Sequence, residues 1–314
     1  MDDRNTSHRI YKTWVNDSTR WEHYTPRNDD VVIATYAKCG TTWTQRILSL
    51  LIFQSPEPCH VHEISPWVDS RGMFPIERLK VLLDGQQHRR FLKSHIPFDG
   101  LPHYDQVRYI HVARDARDTC MSFFNHCSAY TRLAYRGMDK SAGDMGGLAP
   151  RCPDDPRTFW RNWMTRGVMP GATDGYPDLS FFDFETTYWK ARHADNLLLV
   201  HYNDLKEDLG GEMRRIADFL SIQTPRELWP QLVEAATFAA MKRDGEELLP
   251  NMEKFFEGGI DRFLYRGSNG RWHDIMTAGD LALYKQAAAR WTPGLKRWVE
   301  NGRLAAGDPQ VAPD

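Results

Sequence analysis

A lysine, a glycine and two threonines at positions 38–42 could together hold a phosphate or a sulfonate. The segment Thr35-Tyr36-Ala37-Lys38-Cys39-Gly40-Thr41-Thr42-Trp43 follows an apolar run that begins at Val31, and an apolar stretch to Phe53 comes after it. This order predicts a strand, a loop and a helix, whose unpaired N–H groups and positive dipole end favour an anion. Gly40 lets the backbone approach that anion, and Lys38 adds a full charge. The alternative is an ordinary strand-loop-helix connection with a solvated lysine.

The loop differs from the P-loop of nucleoside-triphosphate-binding proteins, G-x-x-x-x-G-K-[ST], whose lysine directly follows the second glycine. Here Thr41 takes the place of that lysine, and Thr42 keeps the hydroxyl position. The positive charge comes from Lys38, on the other side of the glycine. The pattern therefore predicts an anion loop without the lysine that serves ATP and its magnesium. Trp43 could stack on an adenine or simply pack the helix against the sheet.

A second predicted strand ends in a lysine and a histidine. The run Arg90-Phe91-Leu92-Lys93-Ser94-His95-Ile96-Pro97 leaves the sheet at His95, because Pro97 has no N–H to donate to a neighbouring strand. Lys93 and His95 are two residues apart and so share one side of an extended chain. In open α/β sheets, catalytic groups gather at the carboxyl ends of parallel strands. His95 is thus a candidate catalytic residue, with a satisfied surface histidine as the alternative.

A third predicted strand, at 107–113, ends in an arginine. Arg114 follows it directly, and a helix that begins near Thr119 carries Ser122. The planar fork of Arg114 is suited to a second phosphate, while the alternative is a surface network with Asp115. Near the end of the sequence, the run Phe263-Leu264-Tyr265-Arg266-Gly267-Ser268-Asn269-Gly270-Arg271-Trp272 is typical of a basic loop that folds over an anionic ligand.

The composition limits the class of protein. The 314 residues are 41% hydrophobic and 26% charged, which is enough for a large core in an α/β domain. With 40 Lys and Arg against 42 Asp and Glu, the net charge of -2 gives no basis for a nucleic-acid partner. The apolar runs are too short for a membrane span, and no secretory signal is recognised, so a cytoplasmic protein is expected. The 5 cysteines form no C-x-x-C pair, which favours a reduced protein without structural zinc.

The elements that must position these residues alternate along the chain. Each strand, including a fourth at Asn196–Tyr202, precedes a predicted helix. The alternation predicts an α/β fold with a central parallel β-sheet flanked by helices on both faces. We expect one domain over 1–314, with an irregular lead-in at 1–30 and a polar tail at 300–314. A long loop region on the substrate side is expected at 136–178, with a short helical interval around Trp160 and Trp163. Other predicted helices cover 76–83, 181–192, 206–220, 224–244 and 279–298.

These motifs, in this order, resemble those of the cytosolic-type sulfotransferases, which use 3′-phosphoadenosine 5′-phosphosulfate (PAPS). The resemblance covers residues 31–277 and suggests a bacterial-type member. The segment 35–43 is similar to the family's 5′-phosphosulfate loop, T-Y-P-K-S-G-T-T-W. The segment 92–97 resembles the one that carries the family's catalytic histidine and an auxiliary lysine, and 112–118 with Ser122 resembles the 3′-phosphate site. The resemblance implies the P-loop-kinase-like sulfotransferase fold.

The resemblance also implies a set of site residues. The catalytic residues would be His95, Lys38 and Lys93. The nucleotide-binding residues would be Lys38, Cys39, Gly40, Thr41, Thr42, Trp43, Arg114, Ser122, Tyr202, Thr237, Phe238, Arg266 and Gly267. No metal is implied, and no metal-ligand motif occurs.

Several positions depart from the family pattern. Ala37 and Cys39 stand in place of a proline and a serine. The last motif is commonly R-K-G-x-x-G-D-W-K, and here Tyr265 replaces the first arginine, which puts one 3′-phosphate contact in doubt. Arg271 replaces the aspartate, and its positive charge would partly compensate for the missing arginine. The dimer signature K-x-x-x-T-V-x-x-x-E, expected just after Met241, is not found, so the oligomeric state stays open.

The expected function is transfer of a sulfuryl group from PAPS to a hydroxyl or amine of a small apolar or aromatic acceptor, leaving 3′-phosphoadenosine 5′-phosphate (PAP). His95 would act as general base in an in-line transfer that resembles phosphoryl transfer. The alternatives are a P-loop-type kinase, which would need a lysine at position 41, and a non-catalytic nucleotide-binding protein, which would not need His95. We expect Trp67 and the 136–178 region to build the acceptor pocket, although the sequence does not identify the acceptor.

Overall fold

A four-stranded parallel sheet forms the centre of the chain in the computed structural model, which describes residues 8–314. The strands are β1 (Val31–Ala34), β2 (Phe91–Ser94), β3 (Arg108–Ala113) and β4 (Leu197–His201). Their order across the sheet is β2-β1-β3-β4, and all three pairings are parallel. The predicted α/β class with a central parallel sheet is confirmed.

Both faces of this sheet are covered. Successive residues of a strand point to opposite faces, and on β1 they enter different hydrophobic clusters. Val32 and Ala34 belong to one cluster, and Val31 and Ile33 belong to the other. All four are almost fully buried. The β-branched run read from the sequence is therefore that of a strand with helices on each side, as a parallel sheet requires.

The helices that cover the sheet are mostly short. They are α1 (Thr41–Phe53), α2 (Val61–Ile64), α3 (Ile76–Gly85), α4 (Ala116–Cys127), α5 (Arg132–Gly143), α6 (Pro156–Thr165), α7 (Phe181–Lys190), α8 (Tyr202–Glu207), α9 (Leu209–Phe219), α10 (Trp229–Ala235), α11 (Phe238–Arg243), α12 (Gly245–Leu248), α13 (Gly259–Phe263), α14 (Ala278–Ala288), α15 (Pro293–Asn301) and α16 (Arg303–Ala306). Three 3-10 turns lie at Ser18–His23, Phe98–Gly100 and Met252–Lys254. No helix within residues 8–314 has the length and apolarity needed to cross a bilayer.

Three predicted helices are each divided, and each division occurs at a residue that caps the next helix. Asp208 separates α8 from α9, and its carboxylate accepts a hydrogen bond from the N–H of Gly211 at 2.8 Å. Thr237 separates α10 from α11 and caps the latter. Thr292 caps α15, in which Pro293 takes the first position. Side chains of this type compete with the helical backbone, which explains why the continuous helices were wrong.

The 136–178 region begins inside a helix that the sequence did not predict. Its beginning lies in α5, and α6 occupies 156–165, where a short helical interval was expected. Aromatic side chains fix α6, because Trp160 and Trp163 are almost fully buried. Where the structure describes it, from residue 8, the lead-in consists of irregular segments and one 3-10 turn at Ser18–His23, and Trp14 is buried. Residues 1–7 of the lead-in lie outside the described part.

Candidate active site

The four strands end at one edge of the sheet, where the candidate residues gather. Lys38 follows β1, His95 follows β2, Arg114 follows β3 and Tyr202 follows β4. All four line a single cavity of about 540 Å³. Parallel strands place their carboxyl ends together, so the topology alone accounts for this gathering. Residues from four separate sequence segments thus share one site.

The loop after β1 has the backbone geometry of an anion cradle. Lys38 and Gly40 have φ angles of 72° and 107°, and α1 begins directly afterwards at Thr41. A Cβ at position 40 would lie 3.2 Å from the ring of Tyr202, so glycine is needed for close packing as well as for its φ angle. Thr41, Thr42 and Trp43 begin α1, whose first N–H groups have no helical partner. Successive N–H groups in such a turn form a concave site for an anion.

Cys39 points away from the cavity. Its side chain is buried, and its Sγ lies 3.5 Å from the Thr119 hydroxyl. Burial raises the pKa of this thiol above its ordinary value, which keeps it protonated. The cysteine that replaces the family's serine therefore packs the loop against α4, and any contact to a nucleotide would come from its backbone.

The ammonium group of Lys38 lies inside the cavity. Its Nζ is 3.2 Å from Nδ1 of His126 and 4.7 Å from the centre of the Phe263 ring. Burial and the nearby positive charge of Arg114 lower the pKa of Lys38 to about 8. Burial and Lys38 likewise hold the pKa of His126 well below its usual value, so this imidazole is neutral. His126 was not a predicted site residue, although it lies one helical turn after Ser122, on the same face of α4.

Lys93 lies on a tryptophan ring. Its Nζ is 4.1 Å from the centre of the Trp67 ring, a cation–π contact at the cavity wall. Burial is the main cause that lowers the pKa of Lys93 to about 7, and the charge of Lys38 adds to the effect. The predicted contribution of Trp67 to the cavity is thus observed, through a residue that also positions a lysine.

His95 is held in one defined tautomer. Its Nδ1 lies 2.7 Å from the carbonyl oxygen of Thr35. Because a carbonyl oxygen only accepts hydrogen bonds, Nδ1 carries the proton, and Nε2 of the neutral ring keeps a lone pair. Burial and the charge of Lys93 lower the pKa of His95 well below its ordinary value. The arrangement can therefore accept a proton at Nε2.

Asp69 fixes this group and was not predicted from the sequence. Its carboxylate accepts hydrogen bonds from the Trp67 indole N–H at 2.6 Å, the His95 backbone N–H at 3.0 Å and the Trp21 indole N–H at 3.0 Å. Burial raises the pKa of Asp69, although these hydrogen bonds oppose the shift. The segment around Trp67 pairs with Lys93 along the edge of β2. In the sequence, the only local indication that Asp69 acts with Trp67 was that the two residues are two positions apart.

Arg114 joins the anion loop to the basic loop near the end of the chain. Its guanidinium donates to the Lys38 carbonyl at 3.1 Å, to the Ser268 carbonyl at 3.3 Å and to the Asn269 side chain at 2.9 Å. The N–H of Gly270 donates to Asp118 at 2.7 Å, which holds the same loop from α4. The two loops, more than two hundred residues apart in sequence, therefore form one end of the cavity.

The basic loop presents cations around Tyr265. The guanidinium carbons of Arg266 and Arg271 lie 4.9 and 5.4 Å from the centre of the Tyr265 ring. Both arginines line the cavity, and neither forms an ion pair with a residue that the structure describes. Burial and the charge of Arg114 lower the pKa of Arg271, which places this side chain among the other cations of the site. Ser122 also lines the cavity.

An aromatic wall forms beside these cations. The rings of Trp43 and Tyr202 meet edge to face at 5.4 Å, and the Trp43 indole donates to the Ala236 carbonyl at 2.7 Å. The ring of Phe238 packs on Gly267, whose φ is 60° and whose Cβ, if present, would lie 2.9 Å from it. Thr237 does not line the cavity, and its hydroxyl caps α11 instead. Trp43, Tyr202, Phe238 and Gly267, which were also predicted, do line it.

The cavity as a whole is a positive site in a chain of net charge -2. Its lining includes the cations Lys38, Lys93, Arg114, Arg266 and Arg271, but a single carboxylate, Asp178. Burial raises the pKa of Asp178 to about 7, which reduces its negative charge further. The donor set therefore fits a ligand with more than one anionic group. Within residues 8–314, no cluster of three or more His, Cys, Asp or Glu side chains could hold a metal ion.

Much of the remaining cavity lining is apolar. Met73 and Met138 line it on or beside α5, Met241 and Met252 belong to a cluster that includes Trp43, and Trp14 reaches it from the lead-in. Flexible methionine side chains suit an irregular apolar ligand. The first part of the 136–178 region contributes through α5, but little of the region after it lines the cavity. The sequence analysis did not predict the contributions of Trp14, Met73, Met241 and Met252.

Comparison with known proteins agrees with this arrangement. Residues 28–294 match the sulfotransferase domain family. A glycolipid sulfotransferase of Mycobacterium tuberculosis is 33% identical over 309 residues, which cover 94% of each chain. The cytosolic sulfotransferase 1 of Danio rerio is 29% identical, over 82% of this chain and 81% of that protein.

A solved structure shows the same fold at lower identity. Retinol dehydratase, in a complex with androsterone and the inactive cofactor PAP, aligns with a TM-score of 0.65 and 22% identity. The alignment covers 88% of this chain and 85% of that one.

Proposed function

The chain belongs to the sulfotransferase domain family and is a sulfotransferase of EC 2.8.2 type, and on this basis we propose that it transfers a sulfuryl group from PAPS to an acceptor hydroxyl with His95 as general base. The observation that carries the proposal is the tautomer of His95. The Thr35 carbonyl fixes the proton on Nδ1, so Nε2 is free to accept one. Family membership decides against the kinase and against the non-catalytic alternative.

The residues of the positive end fit a nucleotide with two separate anionic groups. The loop at Lys38 and Gly40 would hold the 5′ end, while Arg114, Ser122 and the loop at Arg266 would hold the 3′-phosphate. The ring of Trp43 or Phe238 would contact the adenine. When bound, PAPS supplies an activated sulfuryl group. Lys38 and Lys93 would then stabilise charge that develops on the transferring group and its leaving oxygen.

The lowered pKa of His95 is consistent with this role. In the protein alone, the charge of Lys93 opposes protonation of the imidazole. An anionic group beside Lys93 would offset that charge and raise the pKa of His95 toward the range in which a general base is effective. Asp69 and Trp67 would act by positioning, since they hold the backbone and the ring edge of His95.

The acceptor we propose is amphipathic. Its hydroxyl-bearing head reaches His95, and its apolar part leaves through the part of the cavity beside α5, which Met73 and Met138 line. Two features support this. The cavity of about 540 Å³ must also accommodate the nucleotide, so a long apolar group would extend beyond it. The relatives at 32% and 33% identity are described as glycolipid sulfotransferases. A lipid-linked sugar is thus our first candidate, ahead of the small aromatic acceptor expected from the sequence.

The test is release of PAP from PAPS with a panel of acceptors, comparing His95→Asn with the wild type. Asparagine keeps an N–H donor for the Thr35 carbonyl but has no equivalent of Nε2. We expect kcat to fall by about 10²–10⁴-fold while PAP binding persists. His103→Asn, at an exposed histidine outside the cavity, is the matched control and should leave transfer unchanged. Full transfer by His95→Asn would contradict the proposed base, and an acceptor profile without preference for glycolipids would contradict the acceptor class.

A further inference from the structure

Exposed apolar side chains surround the mouth of the acceptor end of the cavity. Met73, Leu133 and Phe255 line the cavity and are 39%, 50% and 44% exposed. Met145 and Leu148, 44% and 74% exposed, lie in the segment that follows α5. Half of the large apolar side chains that are exposed in the described part of the chain therefore lie on α5 or directly beside it, and we call this surface the rim. Apolar side chains concentrated at one opening indicate a surface that meets an apolar partner.

The helix α5 divides its residues by face. Residues four apart in sequence lie on one stripe of a helix. The stripe Leu133, Gly137 and Ser141 lines the cavity, and so do Ala134 and Met138 of the next stripe, in which Ala134 and Ala142 are buried. The helix therefore lies along the mouth with these two stripes toward the cavity and the core.

The stripe on the solvent side of the mouth is positive. It consists of Arg132, Arg136 and Lys140, all exposed, and none forms an ion pair with a residue described in the structure. Asp139, the one acidic residue of α5, is bonded to Arg151 at 2.7 Å, so its charge is compensated. Three free cations in register beside an apolar opening are typical of helices that lie on anionic membranes.

The charged residues around α5 leave the local excess of positive charge on this helix. At the N-terminus of α5, Lys254 precedes Phe255 and lies between Glu253 and Glu257 in sequence, so this segment adds no excess of positive charge. Arg71 bonds Asp144 at 3.0 Å at the end of α5, which removes that acidic charge from the rim. With a net charge of -2 for the whole chain, attraction to an anionic surface must come from such a local patch.

We propose that the rim formed by α5, Met73, Met145, Leu148 and Phe255 docks on the surface of an anionic lipid bilayer. Arg132, Arg136 and Lys140 contact the headgroups, and the apolar side chains enter the boundary with the acyl region. Docked in this way, the mouth opens onto the bilayer. This inference rests on the proposed function, because the surface surrounds the acceptor end of the same cavity.

The experiment is flotation of the full chain with vesicles that contain neither acceptor nor nucleotide. One set is phosphatidylcholine alone, and the other also contains phosphatidylglycerol. We expect stronger binding to the anionic vesicles, and weaker binding at high salt. Each cation near such a surface contributes about a fivefold factor, so Arg132→Gln, Arg136→Gln and Lys140→Gln together should lower the partition coefficient on the order of 100-fold.

The matched control removes the same residue types elsewhere. Lys190→Gln, Arg226→Gln and Arg297→Gln change three exposed cations that do not line the cavity, and should leave vesicle binding nearly unchanged. Met145→Asn with Leu148→Asn should weaken binding to both kinds of vesicle. Equal losses in the two triple variants, or no preference of the wild type for anionic vesicles, would overturn the docking proposal.

The failure of this proposal is distinguishable from failure of the proposed function. Transfer to a water-soluble acceptor needs no membrane, so the α5 triple variant should keep it at the wild-type rate. Wild-type transfer without vesicle binding would overturn the docking surface alone. Vesicle binding without any transfer would overturn the proposed reaction alone.

Discussion

Binding of PAPS should draw protons into the site. The pKa of Lys93 is about 7 and that of Lys38 about 8 in the protein alone, because burial and neighbouring cations disfavour the charged forms. At pH 8 the first is about 0.9 deprotonated and the second about half deprotonated. An anion bound between them favours both ammonium forms. If both become fully protonated, binding at pH 8 takes up about 1.4 protons.

The sign of the pH dependence follows from this uptake. A ligand that binds the protonated form loses affinity as pH rises, so PAPS should bind more weakly at pH 8 than at pH 7. The two lysines together give a factor of about ten across that interval. Phosphate monoesters have a second pKa near 6 and are almost fully ionised in this range, so the ligand itself contributes little. Burial holds the pKa values of His95 and His126 well below this range in the protein alone, and any rise in the pKa of His95, or of Asp178 (about 7), beside a bound anion adds to the uptake with the same sign.

The assay is calorimetric titration with PAPS, without acceptor, in buffers of different ionisation enthalpy at pH 8. The dependence of the observed enthalpy on that of the buffer gives the number of protons taken up. Lys93→Met should leave at most about 0.5 proton, and Lys38→Met at most about 0.9, because removal of one cation raises the pKa of the other. Uptake near zero in the wild type would refute the reasoning, since the lysines would then be charged before binding or remote from the anion.

Two further predictions concern the scaffold. Gly40→Ala should lower the free energy of unfolding by about 1–2 kcal/mol and abolish PAPS binding, because φ is 107° and the new Cβ would lie 3.2 Å from the Tyr202 ring. Urea denaturation would measure the loss of stability and the same titration the loss of binding. An undiminished affinity for PAPS would contradict the prediction. Asp30→Asn should lower the free energy of unfolding by about 3–5 kcal/mol, because Asp30 forms a fully buried ion pair with Arg90. Asp139→Asn breaks a partly exposed pair and should lower it by at most about 1 kcal/mol. Equal losses in denaturation midpoint for the two variants would contradict this difference.

The parts of the site that the sequence revealed are those encoded in short segments. The anion loop, the ends of the strands at His95 and Arg114 and the basic loop each occupy about ten consecutive residues or fewer, so their local pattern was sufficient. The parallel sheet then brings them together, as the alternation of strands and helices predicted. Ser122 was also placed correctly on its helix, and the same periodicity would have found His126 four residues later.

The parts that the sequence did not reveal depend on contacts between distant segments. Asp69 acts on His95 because an irregular segment pairs with the edge of β2, which no local periodicity indicates. Trp14 reaches the cavity from the lead-in, where isolated aromatic residues suggested only edge packing. The divided helices were missed for a different reason: capping residues such as Asp208 end one helix and begin the next within a pattern that remains apolar.

Tyr265 is a departure from the family pattern in the basic loop, and its surroundings show how the positive charge of that loop is retained. Its ring contacts the guanidinium groups of Arg262, Arg266 and Arg271 at 5.2, 4.9 and 5.4 Å. An arginine at this position would add a further cation beside these three, in a cavity with a single carboxylate. The tyrosine ring instead attracts the cations already present and holds two of them at the cavity wall. The exchange of arginine for tyrosine therefore accompanies the exchange of aspartate for Arg271, and the positive charge moves within the loop rather than leaving it.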